Sequence, residues 1–405
     1  MPTPLNVSTA LERALGILGE AQDIVASRPV EGHAPEWADQ RGWSDYLLGL
    51  SDAELTEAER APARWLAAHA EAPASLRAIT QQASALCAHF EDVSEPERHA
   101  LERHVKRRKQ AQLEAFSAVA LQEFAGVSRI VDLGSGHGHL TRALARALRP
   151  EETLGIDWHD ERVARAIDLA GEGGPRFVHA DASRDVNDEL ALAAGDLVVG
   201  LHPCGDLGDV LVSRAREANA HVLAVSCCFQ KTSRDARSAL SQQAQSAGFS
   251  VPKHALGLAN VSPVSFEGSG SLAEKRAWRR TRLGLHLLLE ARGVEVAPGA
   301  EARGVPKDRV RQGLAEIAAL SLGKRGLPPA SAAELADASA RAEHADASIT
   351  RLALPRDALA RVLEVAIVTD RARLLEEGGW RTRVVTLFSS RTSPRNLAIV
   401  AVAPA

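Results

Sequence analysis

The stretch Arg129-Ile-Val-Asp-Leu-Gly-Ser-Gly-His-Gly-His-Leu-Thr141 sets the organisation of the chain. A short apolar run ends in three alternating glycines, Gly134, Gly136 and Gly138. A helical pattern of Ala, Leu and Arg then continues to about Leu148. This order predicts a strand, a tight loop and a helix. Glycines permit positive φ angles and let a ligand approach the loop beside the amino end of the helix.

The glycine spacing separates two cofactor classes. A dinucleotide fingerprint needs glycine or alanine three residues after its second glycine, and His139 holds that position. The pattern Asp132-x-Gly-x-Gly-x-Gly138 instead resembles the first motif of Rossmann-like S-adenosylmethionine-dependent methyltransferases. This resemblance implies that Asp132, Ser135 and the glycines surround the methionine part of S-adenosyl-L-methionine. The structural alternative is a turn that binds nothing.

Two later strand ends carry acidic residues where such a fold uses them. The run Thr153 to Ile156 ends at Asp157, about twenty residues past the loop, where a carboxylate accepts hydrogen bonds from ribose hydroxyls. The run Arg176 to His179 ends before Asp181 and Ala182, which resemble the methyltransferase position that contacts adenine. Each aspartate alone could be a helix cap or a turn former. Three at successive strand ends favour a cofactor site.

The composition is that of a globular protein with a large core. The chain has 405 residues, of which 45% are hydrophobic and 25% charged, and its formal net charge is −4. This charge argues against a nucleic-acid coat over the whole surface but allows a local basic patch. Four cysteines are too few for a disulfide framework. No secretion signal and no apolar run of bilayer length is found, so we predict a cytoplasmic protein without a membrane anchor.

Residues 1 to about 115 form a predicted helical N-terminal region. The predicted helices are Ala10 to Ser27, Asp52 to Ala70 and Ala74 to Phe90. Trp37, Trp43 and Trp65 are predicted to be core anchors because basic residues do not alternate with them. A basic run precedes the glycine loop and comprises Arg103, Lys106, Arg107, Arg108 and Lys109. This run could hold phosphates or form a solvated helix face.

The fourth and fifth predicted strands end in a group of His and Cys residues. The run Asp196 to Leu201 leads into His-Pro-Cys-Gly-Asp, and the run His221 to Ser226 leads into Cys-Cys-Phe. These strands are neighbours in this kind of sheet, so their carboxyl ends should meet beside the cofactor. The predicted catalytic residues are His202 and Cys204, with His202 also beside the cofactor. The predicted substrate-pocket residues are Cys227, Cys228, Phe229 and Asn396.

The same segments carry a second, narrower resemblance. His-Pro-Cys-Gly-Asp-Leu-Gly-Asp at 202 to 209 and Ser-Cys-Cys-Phe at 226 to 229 resemble the family that includes methyltransferase-like protein 25 and the ribosomal RNA adenine dimethylase domain-containing proteins. The segments Leu363 to Glu376 and Ser393 to Asn396 resemble that family's last helix and hairpin. A related pattern occurs in the eukaryotic tRNA acceptor-stem 2'-O-methyltransferase, where His follows the cysteine pair. Phe229 stands there in this chain.

The chemistry of the His and Cys group allows several roles. An imidazole has an unperturbed pKa near 6.5, which suits proton removal from an acceptor, although His202 could instead bond to a carbonyl and only shape the pocket. The sequence lacks the Asn/Asp-Pro-Pro-aromatic pattern of enzymes that methylate exocyclic amines, which disfavours adenine N6 methylation. Adjacent cysteines on an extended backbone point to opposite faces, so we predict no metal site. A buried thiol can also serve as a small hydrophobe.

A helical insertion and a hairpin complete the chain. Residues from about 250 to 355 form the predicted insertion and a substrate lid, with helices at Leu272 to Glu290, Lys307 to Leu322 and Ala332 to Ala347. Four of its arginines could face an anionic partner or solvent, namely Arg276, Arg279, Arg280 and Arg282. The predicted hairpin strands are Arg383 to Phe388 and Leu397 to Val402, with Asn396 either in the pocket or in the turn.

These observations predict an α/β protein with a Rossmann-like, doubly wound class I methyltransferase sheet and a closing antiparallel hairpin. Residues 1–115 form its helical region, and residues 116–405 form the methyltransferase domain with its insertion. The predicted function is in-line transfer of a methyl group from S-adenosyl-L-methionine to an RNA or protein acceptor. A small-molecule acceptor and a catalytically silent cofactor-binding scaffold are the alternatives.

Overall fold

The computed structural model describes residues 5–27, 29, 34–90, 106–184, 190–261, 271–296, 300–306, 309 and 312–405. Within these residues, the strands are β1 (Arg129–Leu133), β2 (Glu152–Asp157), β3 (Arg176–His179), β4 (Leu197–Cys204), β5 (His221–Cys227), β6 (Ala236–Ser238), β7 (Ser250–Pro252), β8 (Arg381–Thr386) and β9 (Leu397–Val402). Seven strands form the central sheet, and β6 and β7 form a separate antiparallel pair.

The central sheet has the order β3-β2-β1-β4-β5-β9-β8. The first five strands are parallel, and β9 runs antiparallel to both β5 and β8. This order confirms the predicted doubly wound sheet with a closing hairpin. The strand order reverses between the neighbours β1 and β4, which makes this the topological switch point of the sheet. Sheets of this kind bind ligands there, beyond the carboxyl ends of the strands.

The described helices surround this sheet and agree with the predicted ones in most of their extent. They are Val7–Glu20, Gln22–Ala26, Glu36–Gln40, Ser44–Gly49, Asp52–Ala58, Pro62–Ala68, Ala74–Ala88, Arg107–Phe124, His139–Leu148, Asp160–Ala170, Asp206–Glu217, Gln242–Ser246, Lys253–Leu256, Leu272–Ala291, Leu314–Lys324, Ala332–Ala358 and Ala360–Glu376. A short 3-10 helix spans Gly257–Asn260. None of these helices is long and apolar enough to cross a lipid bilayer.

Each face of the sheet packs against a different set of helices. Val131 and Val198 point into the core shared with the N-terminal helices and with Ala360–Glu376, called here the closing helix. Ile130 and Val199, one residue away, point to the opposite face and pack against Phe116 of the helix before β1. The N-terminal region therefore shares one continuous core with the sheet. Trp37 and Trp43 are buried in it, as predicted.

The arginines of the first insertion helix form ion pairs inside the protein. Arg276 and Arg279 both bind Glu59 of the N-terminal region, and Arg279 also binds Asp346. The partners of the other two arginines are Glu343 for Arg280 and Glu301 for Arg282. Arg276 and Arg279 therefore hold the insertion to the N-terminal region, which differs from both predicted surface roles, whereas Arg280 and Arg282 pair within the insertion and Arg280 stays at the surface.

Candidate functional site

The glycine loop after β1 has the backbone that its sequence requires. The φ angles of Gly134, Gly136 and Gly138 are 80°, 56° and 68°, a region that other residues rarely adopt. A Cβ on Gly136 would point into open space, whereas one on Gly138 would lie 2.3 Å from the ring of Phe177. Gly136 thus leaves room for a ligand, and Gly138 allows the loop to pack on β3.

A cavity of about 290 Å³, called here the cofactor cavity, opens above this loop. Its lining residues are Lys109, Asp132, Gly134, Ser135, Gly136, His137, His139, Leu140, Arg162 and Leu201. The Oγ of Ser135 is buried and has no hydrogen-bond partner among the described residues. An unused polar atom beside an open glycine loop fits the polar methionine end of S-adenosylmethionine.

Asp132 is a buried carboxylate at the floor of the cofactor cavity. Its side chain is 1% exposed, and its Oδ2 accepts a hydrogen bond of 2.7 Å from the hydroxyl of Thr141. Burial raises the pKa of Asp132 to about 6, while the Thr141 bond and the nearby Lys109 oppose this shift. An ammonium group arriving in the cavity would favour the ionised form.

Asp157 ends β2 and holds the glycine loop from below. Its Oδ2 accepts a hydrogen bond of 2.9 Å from the Gly136 N–H, and its Oδ1 accepts one of 3.0 Å from the His159 N–H. Arg162 lies 4.0 Å from the same carboxylate and also lines the cofactor cavity. A carboxylate fixed in this way retains lone pairs that could accept hydrogen bonds from the ribose hydroxyls.

Asp181 and Ala182 follow β3, the strand beside β2. Ala182 is buried, while Asp181 is partly exposed and its Oδ1 accepts a bond of 2.9 Å from the Ser183 N–H. Hydrogen bonds from Ser183 lower the pKa of Asp181, so its carboxylate stays ionised. Trp158, directly after Asp157, is 63% exposed. This large aromatic side chain, next to the predicted ribose position, was not among the predicted site residues, although it directly follows the strand-end carboxylate in the sequence.

Lys109 is a cavity residue for which the sequence pattern left two roles open. It lies in the first turn of Arg107–Phe124 and lines the cofactor cavity. Burial lowers the pKa of Lys109, and the nearby Asp132 and Cys227 oppose that shift. Lys109 therefore belongs to the wall of the cofactor cavity and does not form part of a solvated helix face. Arg103 of the same basic run lies outside the described residues.

His202 occupies a break in the pairing of β4 with β5. The register shifts between Leu201 and Cys204, and His202 has a φ of 73°, which is rare for a residue with a side chain. Both ring nitrogens are buried and have no hydrogen-bond partner among the described residues. Burial lowers the pKa of His202 to about 3, with Lys109 and Arg108 adding to the shift. The ring is neutral at pH 7, which corrects the expectation of an unperturbed imidazole.

Three cysteines meet where β4 and β5 end. The Sγ atoms of Cys204, Cys227 and Cys228 all lie within 4.8 Å of one another, and the first two are 3.5 Å apart. The expectation that adjacent cysteines point to opposite faces is wrong here because Cys228 has a φ of 47° and leaves the extended conformation. Hydrogen bonds among the sulfurs lower the pKa of Cys228 and raise that of Cys227. We call this group the thiol cluster.

A buried polar network fixes the backbone around the thiol cluster. Arg371 of the closing helix donates to Asp209 (2.8 Å), to the Ser226 hydroxyl (2.6 Å) and to the Gly205 carbonyl (3.1 Å). Its guanidinium also lies 5.6 Å from the ring centre of Phe229. Phe229 is 2% exposed and lines neither of the two cavities described here, because it packs beneath Arg371 instead. This burial departs from its predicted place in the substrate pocket.

A second cavity of about 480 Å³ lies between the N-terminal region, the insertion and the hairpin turn. We call it the arginine cavity because its lining includes Arg60, Arg64, Arg361 and Arg395. Asn396 also lines it, but the Asn396 amide donates to Phe388 O (2.9 Å) and accepts from Arg361 (2.8 Å). Asn396 therefore combines the two expected roles, in the turn and at a pocket wall.

The thiol cluster lies near wall residues of both cavities, because Cys227 interacts electrostatically with Lys109 of the cofactor cavity and with Arg395 of the arginine cavity. Leu201, three residues before Cys204 on β4, lines the cofactor cavity, whereas Arg395 lines the arginine cavity. Burial lowers the pKa of Arg395, and the neighbouring Glu364 and the thiols of Cys227 and Cys228 oppose that shift. His202, Cys204 and Cys227 are thus brought together as predicted.

Comparison with known proteins identifies the central part of the chain. Residues 106–235, about a third of the chain, match a family model described as a methyltransferase domain. This range contains the glycine loop, Asp157, Asp181, His202 and the three cysteines. S-adenosylmethionine is the cofactor of this domain.

Several solved structures resemble about 30% of the chain. S-adenosylmethionine-dependent methyltransferases from Mesorhizobium loti and Clostridium acetobutylicum are 24% and 15% identical, each with a TM-score of 0.23, and cover 29% and 28% of this chain. The YcgJ protein from Bacillus subtilis is 21% identical with a TM-score of 0.25, and covers 29% of this chain. The match spans about half of each solved chain, at 52%, 48% and 50%. At these TM-scores the likenesses add no argument of their own, so the domain assignment rests on the family model.

Proposed function

We propose that this chain is a methyltransferase that transfers the methyl group of S-adenosylmethionine to an RNA or protein acceptor. The observation that carries this proposal is the juxtaposition of two cavities. The cofactor cavity lies over the glycine loop, and one wall residue of each cavity, Lys109 and Arg395, interacts electrostatically with Cys227 of the thiol cluster. Donor and acceptor could then meet beside His202, at the carboxyl ends of neighbouring strands. The narrower family resemblance of residues 202–209 and 226–229 supports the same reading.

The chemistry of the transfer places a modest demand on the protein. Bound S-adenosylmethionine supplies an activated methyl group. Asp132 would attract the ammonium group of the methionine part. Asp157 would accept hydrogen bonds from the ribose hydroxyls and also accepts one from the Gly136 N–H, which keeps the loop in place. Most of the rate enhancement would then come from orientation and exclusion of water.

His202 is the proposed proton acceptor. Its ring is neutral and has two unused nitrogens, so it can accept a hydrogen bond or a proton from the acceptor nucleophile. The pKa of about 3 makes it a weak base in the empty site. An acceptor that needs little proton removal before attack, such as an imidazole nitrogen or a thiolate, suits this group better than an alcohol or an amide.

The acceptor class is inferred from the arginine cavity. Arg60, Arg64, Arg361 and Arg395 give its wall four cations, while Asp357 and Glu364 give it two anions. Such a mixed wall can receive a backbone phosphate or an acidic peptide segment. A volume of about 480 Å³ also admits a small molecule, which is the alternative within the same reaction class.

A survey with labelled methyl groups tests this proposal. Purified protein and S-adenosylmethionine carrying a tritiated methyl group are incubated with separate RNA, protein and small-molecule fractions of cells. We expect label in the RNA or protein fraction, and roughly 10- to 100-fold less label with Asp132→Asn when S-adenosylmethionine is limiting. Label confined to the small-molecule fraction would overturn the acceptor class. Binding of S-adenosylmethionine without label in any fraction would favour the silent scaffold instead.

A further inference from the structure

The thiol cluster has the donor set of a metal site. Within the described residues, Cys204, Cys227 and Cys228 form a group of possible metal ligands whose atoms all lie within 4.8 Å of one another. We propose that these three cysteines bind one soft divalent metal ion, with Zn²⁺ as the physiological candidate, and leave a fourth coordination position open. This inference is independent of whether the chain transfers methyl groups.

The spacing of the sulfurs suits a tetrahedral ion. Zinc–sulfur bonds of about 2.3 Å at tetrahedral angles place sulfurs about 3.8 Å apart. The Sγ atoms of Cys204 and Cys227 are 3.5 Å apart, and no pair in the cluster exceeds 4.8 Å. Small side-chain rotations would therefore bring all three sulfurs to bonding distance. Thiolate ligands favour zinc over the hard cations calcium and magnesium.

Two unusual backbone conformations create this convergence. Cys204 follows the register shift in β4, which brings it opposite Cys227 on β5. Cys228 has a φ of 47°, which turns its side chain toward the same point as that of its neighbour. Non-glycine residues with positive φ are uncommon, and such conformations concentrate at functional sites. Cys228 is one such residue within the thiol cluster, and His202, two residues before Cys204, is another.

The backbone of the ligands is held in place by other contacts. Arg371 binds the carbonyl of Gly205 and the hydroxyl of Ser226, which are the chain neighbours of Cys204 and Cys227. A Cβ on Gly205 would lie 1.6 Å from the carbonyl oxygen of Lys231, so the two ligand-bearing segments touch. Such support is typical of metal sites, where surrounding contacts orient the ligands.

The remaining surroundings define the kind of site. With three protein ligands, the site resembles catalytic zinc centres, which keep one position for water or substrate. The Nζ of Lys231 lies 3.9 Å from the Cys204 sulfur and would offset the negative charge of three thiolates. The Cys204 and Cys227 thiols lie 3.7 Å and 3.4 Å from the His202 carbonyl. Metal binding would release these thiol protons, so metal affinity should increase with pH.

Metal analysis of the whole protein tests the proposal. The protein is purified under reducing conditions without metal-binding tags, and its zinc content is measured by plasma mass spectrometry before and after titration with Zn²⁺. We expect one zinc ion per chain. Replacement by Co²⁺ should give the intense near-ultraviolet charge-transfer absorption of cobalt–thiolate bonds.

Variants assign the ligands. Cys204→Ala, Cys227→Ala and Cys228→Ala should each weaken metal binding by at least roughly 10- to 100-fold, because even the outer partners of a metal have effects of that size. Cys87→Ala is the matched control, since Cys87 is a free cysteine of the N-terminal region, and it should bind metal like the parent. Far-ultraviolet circular dichroism and the urea midpoint verify that each variant is folded.

Three results would overturn the proposal. One is a reduced, folded protein that takes up neither Zn²⁺ nor Co²⁺ in proportion to its concentration. Another is metal uptake that the three substitutions leave unchanged. The third is a Cys204–Cys227 disulfide that persists under the reducing conditions, found by peptide mass mapping, which would make the cluster a redox pair. Each leaves the methyl-transfer experiment valid, so the two proposals can fail separately.

Discussion

At the scale of single residues, the charge of Asp132 controls the cofactor cavity. The side chain is 1% exposed, and its pKa is raised from 3.8 to about 6 by burial. Asp132→Asn removes the charge but keeps an acceptor for the Thr141 hydroxyl. We expect roughly 10- to 100-fold weaker binding of S-adenosylmethionine, the loss associated with one hydrogen bond to a charged group. Isothermal calorimetry at pH 7.5 measures this. Unchanged affinity would exclude Asp132 from cofactor binding.

The pH dependence of Asp132 has opposite signs for folding and for binding. Between the unfolded pKa of 3.8 and the folded pKa of about 6, the folded protein holds a proton that the unfolded chain has lost. Its free energy of unfolding therefore falls as pH rises through this window, by about 3 kcal/mol. Affinity for S-adenosylmethionine should rise over the same window because the carboxylate becomes charged. Urea unfolding and calorimetry from pH 4 to 7 check both trends, which Asp132→Asn should flatten.

His202 gives a kinetic prediction at the same scale. Replacement by Gln removes the proposed proton acceptor, and we expect kcat to fall by roughly 10²- to 10⁴-fold. Because the pKa of His202 is lowered to about 3, its titration should not appear in the parent's pH–rate profile between pH 5 and 8. His254→Gln, at a ring that bonds to the Ala26 carbonyl, is the control and should keep its activity. An inflection near pH 6.5 that disappears only in His202→Gln would contradict the depressed pKa.

The sequence predicted the polar residues of this site better than their environments. Asp132 and Asp157 were identifiable because each follows an apolar run at a fixed distance from the glycines. The role of Lys109 was not, since a basic run looks alike whether it faces solvent or a cavity. The strand order predicted that Cys204, Cys227 and Cys228 lie near one another. It did not predict that the side chains of Cys227 and Cys228 point the same way, because that depends on a φ of 47°, which no residue pattern in the chain signals.

At the scale of elements, the glycine loop offers a matched pair of substitutions. Gly138 and Gly42 both have a φ of 68°, so Ala strains the backbone equally at each, by about 1–2 kcal/mol. Only at Gly138 would the new Cβ meet a neighbour, 2.3 Å from the Phe177 ring, while nothing lies within 4 Å at Gly42. Gly138→Ala should therefore destabilise the protein by about 1–3 kcal/mol more than Gly42→Ala. Urea unfolding compares them, and equal losses would contradict the packing argument.

The closing helix joins the ends of β4 and β5 through one arginine. Arg371 is fully buried and binds Asp209, whose carboxylate also accepts from Arg237. Arg371→Met should cost about 3–5 kcal/mol because it leaves Asp209 with one cation less in the core. Arg373→Met, two residues along the helix, removes a partly exposed ion pair and should cost less than about 1 kcal/mol. If thermal unfolding shows equal losses of stability for the two variants, the buried network does not stabilise the protein more than the partly exposed ion pair does.

The predicted strands were most accurate where a short apolar run has clear ends. β3 spans Arg176–His179 and β9 spans Leu397–Val402, as the apolar runs indicated. The predicted helix Asp52 to Ala70 divides because Pro62 starts a new helix. β6 and β7 have three residues each, which is too short for a recognisable pattern.

At the scale of the whole molecule, the N-terminal region is part of the same folding unit as the sheet. The helix Val7–Glu20 packs on the closing helix, and both contribute to one core. Helical periodicity predicted helices for this region but no packing partner for them, because an apolar stripe does not specify which surface it contacts. Proximity of residues far apart in the chain, such as Arg60 and Arg395 in the arginine cavity, depends on this packing.

Glu59 connects the N-terminal region to the insertion, which gives a prediction for the whole protein. It is largely buried and accepts hydrogen bonds from Arg276 (2.8 Å) and Arg279 (3.2 Å). Glu59→Gln should lower the free energy of unfolding by about 1–3 kcal/mol, since two charge-assisted bonds weaken. Glu343→Gln is the control, because Glu343 is 71% exposed in its pair with Arg280, and it should change stability by less than about 1 kcal/mol.

The number of transitions in the unfolding curve tests whether the N-terminal region and the sheet unfold together. Because the N-terminal helices share their core with the sheet, Glu59→Gln should shift the urea midpoint of a single transition. Far-ultraviolet circular dichroism reports all helices. In a background in which Trp158, Trp278 and Trp380 are replaced by Phe, the remaining tryptophans lie in the N-terminal region and their fluorescence reports its core, so the two signals should change together. A separate early transition seen only by fluorescence would show that residues 5–90 unfold on their own, and the continuous core would then not act as one cooperative unit.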